Sequence, residues 1–466
     1  MPSLPRAVSL FVISLGLLLS NELRAADAQA KKPPRNVVLM VADDMGLEAG
    51  CYGNPVIKTP NIDALAVAGT RFTHAFCTTS SCSPSRSVLL TGLHNHANGQ
   101  YGLQHSVHNF GSYSTIRSLP GLLAEAGYRT CSIGKFHVQP AETYRFEKFA
   151  NDGIQAARNS VRMAENAEAF IREADDRPFF IYYCSTDPHR NFANDKKYPG
   201  VTPIKYDPQQ VIVPEYLPDQ PEVRAELAEY YEAISRLDQG VGRMVQALKN
   251  TGHWDDTLVI FLSDNGMPFP GAKTTLYESG TRLPLIVRSP GQKPEQLTNA
   301  MVTWADITPT ILAYTGAARP KYKLHGRSVL PVLEQASPEG WDQIHGSHTF
   351  HEVTMYYPMR SIRTRKYHCI MNIAHELSYP FASDLWESAM WQGVLRRNDS
   401  RIGVRSTETF LHRPKYELYD VEQDPNEAHN LANSPEHAEI LAKFQQQLRE
   451  WQAETKDPWL VKYEHE

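Results

Sequence analysis

The strongest restriction on how this chain can fold is a series of short apolar runs that stop abruptly on charged or amide residues. Residues 36–42 (NVVLMVA) end at Asp43-Asp44, and residues 128–133 (YRTCSI) lead to Gly134-Lys135 and then His137. Residues 178–184 (PFFIYYC) lead to Asp187-Pro188-His189-Arg190, and residues 257–262 (TLVIFL) end at Ser263-Asp264-Asn265. Residues 283–287 (LPLIV) form a further short run. Continuous apolar runs of this length suit strands covered on both faces. Segments 61–68, 119–126, 159–175 and 222–248 lie between them and carry apolar residues at helical spacing. This alternation predicts an α/β fold over residues 35–345, with a large, mostly parallel sheet flanked by helices. Past residue 345 the pattern changes to strand-like pieces at 359–363, 367–370 and 416–420, closed by a helix at 436–454. That predicts a smaller C-terminal α+β domain, 346–466, containing an antiparallel sheet.

In open α/β sheets ligands sit beyond the carboxyl ends of the strands. Taken singly, each acidic or amide pair is an ordinary helix cap or turn. If the four strands are parallel, however, Asp43-Asp44, Lys135 with His137, Asp187 with His189, and Asp264-Asn265 all converge on one edge. Asp43, Asp44, Asp264 and Asn265 offer only oxygen ligands, which suit Ca²⁺ or Mg²⁺ rather than zinc, and Ca²⁺ accepts their mixed geometry better. Lys135 and Lys273 are cations at loop positions that could neutralise an anion. His137 and His189 are candidate proton carriers, because imidazole titrates near neutral pH. Cys82 precedes the apolar segment 87–90, which predicts a helix whose N-terminus would favour an anion, with Arg86 one turn on.

The 466 residues have a net charge of −5, so no general basic excess points to nucleic acid, and a polyanionic substrate needs a local cationic patch. Residues 1–30 hold Arg6, an apolar run at 8–19 and small-residue sites at Ala25-Ala26 and 28–30, the layout of a secretory signal peptide. The mature chain is therefore expected to be exported and to carry no membrane span. Of the six cysteines, Cys131 and Cys184 fall in strand-like runs and read as buried free thiols.

Cys82-Ser83-Pro84-Ser85-Arg86, followed by Ser87-Val88-Leu89-Leu90-Thr91-Gly92, resembles the signature of the sulfatases of the alkaline phosphatase superfamily. Residues 263–270, 238–242 and 451–459, and above all His351-Glu352-Val353-Thr354-Met355 with Tyr357-Pro358-Met359-Arg360-Ser361, resemble the narrower heparan N-sulfatase branch. The resemblance implies that Cys82 is oxidised to formylglycine by a formylglycine-generating enzyme, and that Asp43, Asp44, Asp264, Asn265 and residue 82 hold one Ca²⁺. It implies catalytic roles for Arg86, Lys135, His137, His189 and Lys273, and substrate contacts by Asp187, His351 and Glu352. The implied substrates are sulfated glucosamine saccharides. The location is periplasmic or secreted in a bacterium and lysosomal in an animal, and a homodimer is admitted. Lys273 stands where the animal enzymes are expected to carry arginine, which keeps the charge and loses the bidentate geometry. The alternatives are an O-sulfatase on another sulfated sugar, an unmodified and inactive sulfoglycan-binding protein, and a phosphoester hydrolase of the same superfamily.

Overall fold

The computed structural model describes Pro2, residues 35–173 and residues 176–462. Apart from Pro2, the expected signal segment lies outside the described residues. Eight strands build the main sheet: β1 (Asn36–Ala42), β2 (Thr70–Phe76), β3 (Arg129–Gly134), β4 (Lys148–Phe149), β5 (Phe179–Cys184), β6 (Thr257–Ser263), β7 (Leu285–Arg288) and β8 (Gln296–Thr303). Their order is β4-β3-β5-β1-β6-β7-β2-β8. Only β7 runs against its neighbours, being antiparallel to both β6 and β2. The run at 283–287 is therefore the reversed strand, displaced to 285–288. The sequence reading did not identify β2 and β8, because residues such as Thr70, Arg71 and His74 interrupt any apolar run. The fully buried β1 shows why its residues carry no alternation: Val38 and Met40 pack into one apolar cluster, and Val37, Leu39 and Val41 into the other on the opposite face.

The second sheet contains β9 (Gln343–His348), β10 (Met359–Thr364), β11 (Tyr367–Asn372) and the strand Tyr416–Asp420, all antiparallel. The helix Ala438–Glu454 covers it with Phe444, Leu448 and Trp451, packed among Ile362, Cys369, Met371 and Leu418. Both sheets lie within one compact unit, Arg35–Glu466. The buried N–H of Ser347, in β9, donates to the carbonyl of Thr78, just past β2, at 2.6 Å. The buried pair Arg360–Asp457 ties β10 to the chain after the closing helix. None of the six cysteines is joined in a disulfide, and Cys131 and Cys184 are buried. Among the described residues no helix is long and apolar enough to cross a membrane.

The phrase Asp238-Gln239-Gly240-Val241-Gly242 belongs to the scaffold. On the 30-residue helix Pro221–Asn250, Asp238 accepts from the backbone N–H groups of Asn61 and Ile62, satisfying the first turn of the helix Pro60–Ala68. A side chain at 242 would collide with Asn61, and one at 240 with Ser160.

Candidate active site

The four polar strand ends do meet. In the order β3-β5-β1-β6 the strands are parallel neighbours, so their carboxyl ends lie side by side. Backbone bonds carry the alignment beyond the sheet: Asp43 N–H donates to Asp187 O, Asp264 N–H to Ala42 O, and Lys135 N–H to Cys184 O. Asp44 takes a left-handed φ of 68°, which a short polar side chain tolerates. The Tyr230 hydroxyl holds that bend by accepting from Gly46 N–H and donating to Asp44 O.

Cys82 is the first residue of the helix Cys82–Thr91, all ten residues of which are buried. Its Sγ–H donates to Asp44 Oδ1 at 3.7 Å. Burial, reinforced by Asp44 and Asp43 against the pull of Lys135, holds the Cys82 thiol well above the usual thiol range. An unmodified Cys82 is thus a neutral thiol and a poor nucleophile. One turn on, Arg86 is wholly buried. It donates to Asp264 Oδ2 (2.8 Å), Asp43 Oδ1 (3.2 Å) and the carbonyl of Lys135 (3.0 Å), locking three strand ends to the Cys82 helix.

Asp43, Asp44, Asp264 and Asn265 are completely buried together. Asp43, Cys82 and Asp264 bring ligand atoms within 4.8 Å of one another. Burial and the neighbouring Asp43 and Asp44 push the Asp264 carboxyl up to about 8, even beside Arg86. Burial also works against the charge on Asp43, but Lys135, His189 and Arg86 hold it well below the usual carboxylate range. Asn265 Nδ2 donates to Asp44 Oδ1 at 2.6 Å, while Asn265 Oδ1 is buried with no partner. Crowded carboxylates beside an orphaned amide oxygen are what an all-oxygen divalent-cation site offers, so these residues fit a hard divalent cation.

Two lysines stand over the acidic group. Lys135 Nζ lies 2.5 Å from Asp43 Oδ2; Lys273 Nζ lies 2.9 Å from Asp44 Oδ2 and 2.8 Å from Asp384 Oδ2. Although burial disfavours the charge, Asp384 and Asp44 hold Lys273 well above the usual lysine range, and Asp43 raises Lys135. His189 Nε2 is 3.4 Å from Lys273 Nζ and 3.8 Å from Asp44 Oδ2. Burial, helped by Lys273, lowers the His189 pKa; burial, helped by Lys135, lowers that of His137. His137 pairs through Nε2 with His105 Nδ1 at 2.6 Å, and its Nδ1 is buried without a partner.

Cys82, Lys135, His137, His189 and His351 line a single cavity of about 640 Å³, with His105 and Arg158. His351 enters from the loop after β9, its Nδ1 hydrogen-bonded to Ser81 Oγ at 2.8 Å, directly before Cys82. Two of the expected substrate contacts are engaged by partners within the protein. Asp187 is wholly buried, bound by Arg158 at 2.5 Å and by Arg236 through both oxygens at 2.6 and 2.7 Å. Glu352 accepts from the N–H and hydroxyl of Ser383, both at 2.8 Å. Sequence reasoning missed Asp384, His105 and Arg158. None of these follows a strand or sits in a recognisable motif, and only the folded loops bring them here.

A sulfatase family profile matches residues 35–317, and a profile described as "N-sulphoglucosamine sulphohydrolase, C-terminal" matches residues 272–385. The N-sulphoglucosamine sulphohydrolase of Homo sapiens is 42% identical, over 92% of this chain and 91% of its own length. The chain belongs to the sulfatase family. An ulvan-active sulfatase of Formosa agariphila is 28% identical over 92% of this sulfatase and 82% of its own length. Among solved structures, a protein in complex with its substrate D-glucosamine-2-N,6-O-disulfate aligns with TM-score 0.67 and 20% identity, covering 92% of this sulfatase and 99% of that chain. The phosphonate monoester hydrolase of Agrobacterium radiobacter aligns with TM-score 0.67 and 20% identity, covering 91% and 96%. These two likenesses show that the chain shares their fold.

Proposed function

We propose that this sulfatase removes the N-linked sulfate from terminal N-sulfoglucosamine in heparin or heparan sulfate fragments. The observation that carries this reading is the match of residues 272–385 to the C-terminal profile of the N-sulphoglucosamine sulphohydrolases. That segment brings Lys273, His351 and Asp384 to the site.

Oxidised to formylglycine, Cys82 supplies a hydrated aldehyde: one hydroxyl attacks sulfur, and the other, once deprotonated, expels sulfate and restores the aldehyde. Asp43, Asp44, Asp264 and Asn265, beside residue 82, would hold one Ca²⁺, which would supply Lewis-acid charge for the sulfate. Lys135 and Lys273 neutralise the remaining sulfate oxygens, and Arg86 fixes the acidic side chains. As the N–S bond breaks, the amine departs with a proton from His189, because an amide anion is too basic to leave unaided. The anionic substrate offsets the repulsion of Lys273 and lets His189 carry that proton. His137 takes the proton of the second hydroxyl, and the C–O bond to sulfate then breaks. This route requires a formylglycine-generating enzyme in the host.

The deciding assay measures sulfate release from N-sulfoglucosamine, its 6-O-sulfated form and O-sulfated monosaccharides, with peptide mass spectrometry of residue 82. Release from N-sulfoglucosamine by protein carrying formylglycine, abolished in Cys82→Ala, is expected. Release from O-sulfates alone transfers the enzyme to the O-sulfatase reading, and full activity with an unmodified thiol overturns the mechanism.

A further inference from the structure

We propose that Asp384 is the residue by which this enzyme distinguishes a sulfamate from a sulfate ester, accepting the hydrogen bond of the substrate N–H through its Oδ1. This deepens the reading above and rests on it. The bond cleaved in a sulfamate is N–S, and its nitrogen carries a hydrogen before the leaving-group proton arrives. The bridging oxygen of a sulfate ester carries none. A site selective for sulfamates therefore gains from an acceptor beside the proton donor, whereas an esterase site gains nothing from one.

Asp384 meets that requirement. Its Oδ2 is engaged by Lys273 Nζ at 2.8 Å and lies 4.0 Å from His189 Nε2, the atom assigned to protonate the leaving nitrogen. Its Oδ1 is buried and has no hydrogen-bond partner. A buried carboxylate oxygen without a donor is costly, and a substrate N–H would satisfy it. The metal-site carboxylates cannot serve in its place, because Asp43 and Asp44 are occupied by Lys135, Arg86, Lys273 and Asn265. Asp384 is also held in position. It lies in the short helix Ser383–Trp386, whose first N–H and Ser383 hydroxyl are both gripped by Glu352. The His351-Glu352 phrase thus places one residue in the cavity wall and uses the next to fix the acceptor.

The test compares two substrates on the same variants, Asp384→Asn and Asp384→Ala. Steady-state kcat/KM is measured for N-sulfoglucosamine and for an aryl sulfate whose leaving group needs neither acid nor acceptor. Loss of the Lys273 counter-charge, or of folded protein, lowers both rates by a common factor that cancels in their ratio. Because Asp384 also lies 4.0 Å from His189 Nε2, a third substrate, the N-methyl sulfamate, which needs the same acid but carries no N–H, separates the acceptor from any effect on that acid: its rate is expected to fall less than that of N-sulfoglucosamine, and equal falls overturn the proposal. A site built to bond a substrate N–H discriminates strongly through it, so the N-sulfate to aryl-sulfate ratio is expected to fall by about 10- to 100-fold in Asp384→Ala, as for loss of a hydrogen bond to a charged group. An unchanged ratio overturns the proposal while leaving the N-sulfatase reading intact. A wild-type enzyme that releases no sulfate from N-sulfoglucosamine overturns both.

Discussion

At the scale of single residues, two side chains close in sequence have opposite duties. Asp187 is locked between Arg158 and Arg236, while His189, two positions on, lines the cavity. Asp187→Asn leaves two buried guanidinium groups short of a counter-charge, and breaking such a buried pair costs about 3–5 kcal/mol. Denaturant unfolding is expected to show that loss. An unaltered midpoint with a raised KM would return Asp187 to the sugar contacts. For His189, a positioned general acid contributes about 10²–10⁴-fold in rate. His189→Ala is expected to slow N-sulfate cleavage within that range and aryl sulfate cleavage far less. Equal losses on the two substrates would make His189 a sulfate-binding group and shift the acid to another residue, Lys135 first.

At the scale of elements, the site depends on how tightly β3 lies against β5 where both end. Gly134 has a φ of +90°, and a methyl group there would collide with the carbonyl oxygen of Cys184 and approach Met163 Cε to 2.7 Å. The next residue is Lys135, whose N–H is bonded to that same carbonyl. Gly134→Ala combines a left-handed backbone penalty of about 1–2 kcal/mol with this clash. It is expected to lower the unfolding midpoint and, by displacing Lys135 from Asp43, to depress kcat in the protein that still folds. A variant with wild-type stability and kcat would show that the strand ends can separate without harm.

At the scale of the whole molecule, the contact region between the two sheets is rich in neutral imidazole. Burial holds His325 and His345 down to about 4, and burial with Arg360 and Arg413 holds His348 down to about 3, against an ordinary value of 6.5. In the unfolded chain these groups bind protons near pH 6.5; in the folded chain they do so only near 4 or below. The unfolded state therefore binds more protons in that window, and stability falls as pH drops from about 6.5 towards 4. The ring of His345 stacks on Trp451 at 4.8 Å, and its Nε2 is buried without a partner, so phenylalanine preserves the packing without the titration. His345→Phe is expected to flatten the decline in urea midpoint between pH 7 and pH 4.5. An unchanged slope would remove His345 from the set.

The sequence alone determined the parallel heart of the sheet and the chemistry at its edge. Unbroken apolar runs require burial on both faces, and parallel strands necessarily bring Asp43, Lys135, His189 and Asp264 to one side. The Cys82 motif was equally legible, because its meaning lies in local order. The mixed strands β2 and β8 and the reversal of β7 were not, since pairing with a distant neighbour, rather than their own residues, makes them strands. Only the tertiary structure paired Asp187 with Arg158 and Arg236 and brought Asp384 to Lys273 across 111 positions of chain. A carboxylate's role depends on which cation reaches it, and that is decided by packing between segments with no local signature.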